Sequence, residues 1–406
     1  MSSPSARGDT RALFCRWRAR VVRVALALLG ASGACAAPFV PSDDAQVLEQ
    51  LPSRSTPQFR ELRALQLASA QGPGDLQRAL PLATAYIRAS RVEGDPRFLG
   101  YAQATLAPWW KDPAAPTAVL VLRATILQSS HQFDAAVADL NLVLQRDPRN
   151  LQALLTRATV LTVQAQYGAA RADCQRLATA AAAIYSVICS AAIDSMTGRA
   201  EPAYAALQGA LQTFPRIDPA ARAWGQTLLA EIAQRRGDPA AEAHFRAALA
   251  VGDKDTYLLG AYSDWLLDRN RPAEVIALLQ NETRVDILLL RLALAQQALQ
   301  RPDAAATIAT LRARFDASHA RGDTVHEREN ARFELALRND AGSALRYALG
   351  NWQVQREAAD IRILAETAVA TNDATALAVV RDWIARTGYE DVALGALLDR
   401  GKVPTK

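Results

Sequence analysis

From Thr56 onward, leucine and alanine recur at helical spacing, and short polar runs punctuate them; valine and isoleucine are scattered, with no sustained period-two alternation. That pattern predicts helices throughout. Along one stretch the chain states the same pattern twice. Leu120, Arg123-Ala124-Thr125, Leu127, Gln132-Phe133, Ala136, Asp139 and Leu140 recur 34 residues later as Leu154, Arg157-Ala158-Thr159, Leu161, Gln166-Tyr167, Ala170, Asp173 and Cys174. A fixed period of this size marks a stacked helical array, in which no single unit buries its own apolar face.

The polar punctuation sets the boundaries. A first helix carries Leu62, Leu65 and Leu67 and stops at Gly72-Pro73-Gly74; a second runs from about Asp75 to Arg91; a third follows Gly94-Asp95-Pro96, where Asp caps and Pro favours a first turn. Pro108-Trp109-Trp110 interrupts the pattern before the clear copies. After them, turns are expected at Gly198, Gly237-Asp238, Asn270-Arg271-Pro272 and Arg301-Pro302-Asp303, then at Asn339-Asp340 and Asn372-Asp373. Residues 316–330 are polar and read as a solvated helix or loop. A last helix from about Glu390 to Asp399 caps the stack. The division is therefore 1–36, a leader; 37–56, a linker; 57–116, degenerate repeats; 117–315, the array; and 316–406, further degenerate repeats with the cap.

Each clear copy resembles a tetratricopeptide repeat. Small residues, Ala124 and Ala136, sit where the paired helices approach, Phe133 fills the turn, and Asp147-Pro148 closes the unit. The resemblance implies an all-α, right-handed α-solenoid of stacked antiparallel helix pairs, seven to nine in number. Arg123 with Asp139 and Arg157 with Asp173 recur in register and are expected to bridge helix A to helix B. On an exposed surface such a pair is worth only about 0–1 kcal/mol, so orientation is its expected use.

Composition agrees: half the residues are hydrophobic, few are aromatic, and that is the make-up of closely packed helices. The net charge of +5 invites a nucleic-acid reading. Residues 1–36 account for it. Removing their six arginines and Asp9 from the 46 basic and 41 acidic residues leaves 40 of each, so no basic stripe remains for a phosphate backbone. The segment itself has the layout of a secretory signal: arginines up to Arg23, the apolar run Val24–Leu29, and small residues ending in Ala34-Cys35-Ala36. Cleavage after Ala36 and export to a periplasm are expected. The alternative is that Cys35 is a lipid attachment site, which would anchor the chain to a membrane.

Export leaves Cys174 and Cys189, which the repeat register places on helix B of one unit and helix A of the next. In an oxidising compartment they would form a disulfide closing a loop of about 15 residues. Two buried free thiols are the other possibility.

Little in the chain points to catalysis. His326 with Glu327 and Glu329 lacks the second histidine of a zinc protease, because Asn330 stands there, and a surface polar cluster is the expected role. His131 falls in a turn, a site usually exposed. No nucleophile elbow, phosphate loop or dinucleotide fingerprint appears. No cofactor and no metal are expected. Of the tryptophans, Trp224, Trp265 and Trp383 are expected to fill space between helices, whereas Trp109, Trp110 and Trp352 are candidate exposed anchors.

The resemblance also implies a ligand along the concave face, lined by the helices A. Carried across, that face comprises Val121, Thr125, Gln128 and Ser129, then Leu155, Thr159, Thr162 and Val163, then Ile188, Ala192, Ser195 and Met196. This strip holds no charge, so its ligand should be an apolar or neutral peptide or helix, unless the chain's own terminal helices fill it. The expected function is a non-catalytic protein-interaction scaffold in the bacterial envelope, with a protein partner and no nucleic acid. A lipid-anchored accessory subunit of an envelope assembly or secretion machine, and an enzyme near His326, are the alternatives.

Overall fold

The computed structural model describes Asp43 and residues 57–400, leaving out 179–182, 252–254 and 323–324. The leader and linker expected over 1–36 and 37–56 lie, Asp43 apart, outside the described residues. Pro57 begins the compact unit that carries everything below.

Three helices and a short turn open this unit: α1 (Pro57–Ala70), α2 (Leu76–Glu93), α3 (Arg97–Thr105) and α4 (Ala107–Trp110). Asp75 caps α2 by accepting from the Gln77 amide, and Gly94 ends it in a left-handed conformation. Eight antiparallel pairs follow. They are α5 (Thr117–Ser129) with α6 (Phe133–Arg146), α7 (Leu151–Val163) with α8 (Tyr167–Ala178), α9 (Ala183–Ser195) with α10 (Ala200–Thr213), and α11 (Pro219–Arg235) with α12 (Ala241–Val251). Then come α13 (Thr256–Asp268) with α14 (Pro272–Leu279), α15 (Asp286–Ala298) with α16 (Ala304–Ala320), α17 (Glu327–Ala336) with α18 (Ala341–Val354), and α19 (Ala358–Thr371) with α20 (Ala374–Thr387). The helix α21 (Val392–Arg400) ends the stack. The described residues contain no strand.

One conformation joins every pair. His131, Ala165, Gly198, Gly237, Asn270, Gln300, Asn339 and Asn372 each take a positive φ between their helices A and B. At His131, Ala165, Asn270 and Asn372 the next amide donates to the carbonyl five residues back, satisfying the end of helix A and reversing the chain within three residues. Starts of several helices A are capped by side chains. Asn150 accepts from Ala153, Asp218 from Ala221, and Asp255 from Tyr257.

The small residues do what their size suggests. Ala124, Ala136, Ala158 and Ala170 are all buried, and each lets helix A approach helix B closely. The two arginine–aspartate bridges form, and each is bidentate. Arg123 Nε and Nη2 donate to Asp139 at 2.6 Å each, and Arg157 makes the same pair of bonds with Asp173. They are not the exposed pairs whose low value was expected. Both side chains of the first are 9% accessible, because α4 folds over the bridge and offers Arg123 the carbonyls of Trp110 and Trp109.

Three apolar clusters run along the stack. The first spans Leu62 to Ile193, the second Ile184 to Leu337, and the third joins Ala331 to Leu398 with the buried Met196 and the half-buried Tyr167 from the early repeats. Cys174 and Cys189, between the second and third pairs, are joined in a disulfide with Cα atoms 5.6 Å apart.

Candidate interaction groove

The inner face of the array is built by the helices A, and its first half is uncharged. The hydroxyls of this strip are turned inward. Thr125 donates to Val121, Ser129 to Thr125, Thr159 to Leu155, and Thr162 to Ala158, each to the carbonyl one turn back. A threonine so bonded presents its methyl group outward. The strip is therefore more apolar in the fold than in the sequence. Thr159 is exposed and Val121, Gln128, Ser129, Leu155 and Thr162 are half-buried, whereas Thr125 is buried.

The third unit does not share this surface. Ile188 and Ser195 are buried, at 0% and 1%, and so is Met196, while Ala192 is half-buried. The carrying-over of a continuous concave face thus fails here: Ile188 is packed into the second cluster, Ser195 is bonded by Arg235 of α11, and the end of the chain covers Met196. The Arg356 amide donates to the Val163 carbonyl at 2.8 Å, and its guanidinium reaches the Gln164 carbonyl. Met196 packs in the third cluster among residues of α17–α21. Glu390 accepts from the Ala200 amide, and Arg235 bonds Ser195 while lying over the Tyr389 ring. Terminal helices filling part of the groove was the stated exception, and at the third unit it holds.

Inside the closure, the inner face becomes charged. Tyr257 Oη donates to Glu231 at 2.6 Å. Asp264 accepts from Arg291 and Arg332, which overcome its burial and hold its carboxyl well below the usual carboxylate range. Arg328 lies between Glu329, Glu357 and Asp360 at 3.1–3.3 Å. Burial alone would lower the Arg328 pKa, and those three carboxylates instead raise it well above its ordinary value. At the half-buried Glu357, desolvation and the neighbouring Asp360 charge outweigh Arg328 and push its carboxyl up to about 7. Arg362 clamps Asp268 through two bonds of 2.6 Å. Residues 326–330 are consequently no solvated surface cluster. Glu329 and Asn330 are buried, and the Asn330 amide caps the His326 carbonyl. This network was missed in the sequence because its members come from five helices. One signal was present: Arg291 stands inside Leu288-Leu289-Leu290-Arg291-Leu292, where a lone charge needs a buried partner.

The remaining candidates sort by burial. His131 is half-buried and stacked on Phe133, not free in a turn, and burial followed by the nearby Arg328 lowers its pKa. Trp109 and Trp110 are half-buried against the first cluster. Trp352 is no exposed anchor; it is 5% exposed and packs edge-on against Trp383, 5.5 Å between centroids, because α18 runs past it to Val354. Trp265 and Trp383 fill the core as expected, whereas Trp224 is exposed. Among the described residues no group of three histidine, cysteine, aspartate or glutamate side chains is placed to hold a metal ion, and no helix is long and apolar enough to cross a membrane.

No protein-family profile matches this chain, and no curated protein matches it. Solved structures do. The Cut9–Hcn1 hetero-tetramer of the APC/C is similar at 11% identity and a TM-score of 0.51, covering 86% of this chain and 67% of its own. A tetratricopeptide repeat protein from Parabacteroides merdae matches at 15% identity and a TM-score of 0.38, over 59% of this chain and 85% of that one. The human IFIT1 dimer with m7Gppp-AAAA matches at 13% and 0.39, over 84% and 76%. At such identities a likeness bears on architecture only. With the repeated Arg–Ala–Thr helices, the small-residue contacts and the eight uniform turns, it establishes an all-α solenoid with the fold of tetratricopeptide-repeat proteins.

Proposed function

We propose that this protein is a non-catalytic interaction scaffold that receives an apolar or neutral peptide segment along α5 and α7. One observation carries the reading: the inner face there is uncharged and its hydroxyls are bonded into their own helices, so it offers methyl and methylene groups to a partner. Val121, Gln128, Leu155 and Thr159 are the residues the partner would touch. A photo-crosslinking side chain at Thr159, which is exposed, followed by mass spectrometry of material crosslinked in cells, tests it. One dominant protein partner supports the scaffold. Crosslinks confined to the chain itself, or none above background, would remove it.

We infer further that the protein works in an oxidising compartment, which in a bacterium means the envelope. The arginine-rich leader followed by a short apolar run supports export, and the Cys174–Cys189 disulfide supports the compartment independently. A reporter fused after Lys406 that is active only outside the cytoplasm tests this; activity confined to the cytoplasm refutes it.

A further inference from the structure

We propose that α18–α21 form a lid over the concave face of the second and third units, latched at Arg356 and Glu357, and that the groove lengthens when this lid lifts. Its use by a partner rests on the scaffold reading above, but its movement does not.

Three observations point to a separable cover. Most of the lid's core is its own: apart from Met196 and, on α17, Ala331, every buried member of the third cluster lies between Leu345 and Leu398. Its hydrogen bonds onto the second and third units are few: Arg356 on the carbonyls of Val163 and Gln164, and Glu390 on the Ala200 amide. Met196 and Tyr167 pack against it, Arg235 and Arg362 hold it to later units through Tyr389 and Asp268, and two glycines approach closely. Gly198 and Gly388 both have left-handed φ, and a Cβ built on Gly198 would stand 3.0 Å from the Gly388 carbonyl oxygen. Glycine on both sides is what lets the two turns touch.

The seam is also poorly satisfied. Tyr167 Oη and Arg235 Nε are buried there with no hydrogen-bond partner. A buried polar atom without a partner costs free energy, so these two weaken the closed seam even though the rest of Arg235 bonds Ser195 and lies over Tyr389.

Glu357 makes the latch responsive to pH. It starts α19 in a reciprocal capping arrangement with Asp360, its amide donating to the Asp360 carboxylate at 2.7 Å. Facing it are Asp360 on its own helix, Arg328 on α17, Glu231 on α11, Tyr257 on α13 and Tyr167 on α8, with Arg356 beside it. His131 and His326 face Glu329 one layer away. Arg328 is shared among Glu329, Glu357 and Asp360, and burial with the Asp360 charge outweighs it at Glu357. Closure therefore favours the protonated Glu357. Its carboxyl is raised from the usual 4.5 to about 7, so closure is strongest at and below pH 4.5 and weakens as pH rises through 7. Between pH 5.5 and pH 8 the closed-to-open ratio should fall by about tenfold, the shift being discounted for the 38% of the side chain that water reaches.

Hydrogen–deuterium exchange of the purified full chain tests the lid without any partner. Protection factors, corrected for the intrinsic pH dependence, are compared for peptides spanning 351–360, 193–200 and, as control, 133–146. At pH 8 the first two should lose protection by about tenfold relative to pH 5.5, while the control keeps its own. Glu357→Gln should hold the seam protected at pH 8. Gly198→Ala, which places a Cβ 3.0 Å from the Gly388 carbonyl oxygen, should loosen it at pH 5.5. Seam protection that is unchanged with pH and in Gly198→Ala overturns the lid. Loss shared equally by the control overturns it too, since that is global opening. A pH response that survives in Glu357→Gln overturns the latch. A failed crosslink at Thr159 with a mobile seam would count against the scaffold alone.

Discussion

Asp139→Ala and Asp173→Ala remove the same aspartate from two copies of one motif, and the structure expects different costs. In the first copy both partners are 9% accessible. Losing the carboxylate strands Nε and Nη2 of Arg123 in a site water scarcely reaches, while Nη1 stays bonded to Trp110 and, at 3.2 Å, to the Asp112 carbonyl. Those bonds hold the guanidinium in place and prevent it from swinging out. Leaving one member of a buried pair uncompensated costs about 3–5 kcal/mol. In the second copy Arg157 is 18% accessible and keeps a bond of 2.6 Å to Asn141 Oδ1 on the outer side. Its charge can be rehydrated, and about 2 kcal/mol is expected. Urea unfolding followed by far-ultraviolet circular dichroism measures both, with hydrogen exchange in α5 and α6 to localise the first. The reasoning is refuted if Asp173→Ala costs as much as Asp139→Ala, or if Asp139→Ala costs less than about 1 kcal/mol.

Three further outcomes are expected. Cys174→Ser opens a loop whose ends are 15 residues apart and should lower stability by about 3 kcal/mol; wild-type protein unfolded without reductant should show neither thiol, and titration of both would end the disulfide. Ala165→Gly, at φ +59, should stabilise by roughly 0.5–1 kcal/mol, the relief of a left-handed β-carbon less the added freedom of the unfolded chain, and a lowered melting temperature contradicts it. Glu357→Gln should be more stable than wild type at pH 8 by about 1–2 kcal/mol, discounted for the 38% of the side chain that water reaches, with the gap closing towards pH 5 as wild type takes up its proton; a gap independent of pH would show that another group titrates.

The array was legible because its signals are local. Ala124, Ala136, Phe133 and Asp147-Pro148 each act on the next helix, and the Arg123–Asp139 spacing fixes a contact within one pair. The expected turns fell at the left-handed residues from Gly198 to Asn372. The site was less legible, for the reason that it is not local. Nothing near Val163 announces Arg356, 193 residues on, and nothing near Trp352 announces that α18 continues past it. Periodicity says which face of helix A looks inward but not what looks back. The charge pattern of 316–330 suggested water for the same reason, since Arg328 and Glu329 find their partners on α15 and α19.

The seam has a consequence for how the molecule comes apart. An open array, each unit touching only its neighbours, frays from its ends one unit at a time. Here the last pairs rest on the second to fourth, and the loop before α3 touches the far side as well, Gly94 lying against Val285. These contacts tie units that are distant in order, so a ring of dependence replaces a line. Removing α21 or the last pair would not shorten a ladder by one rung. It would uncover Met196 in the middle of the stack, and the loss would be felt far from the end that was cut.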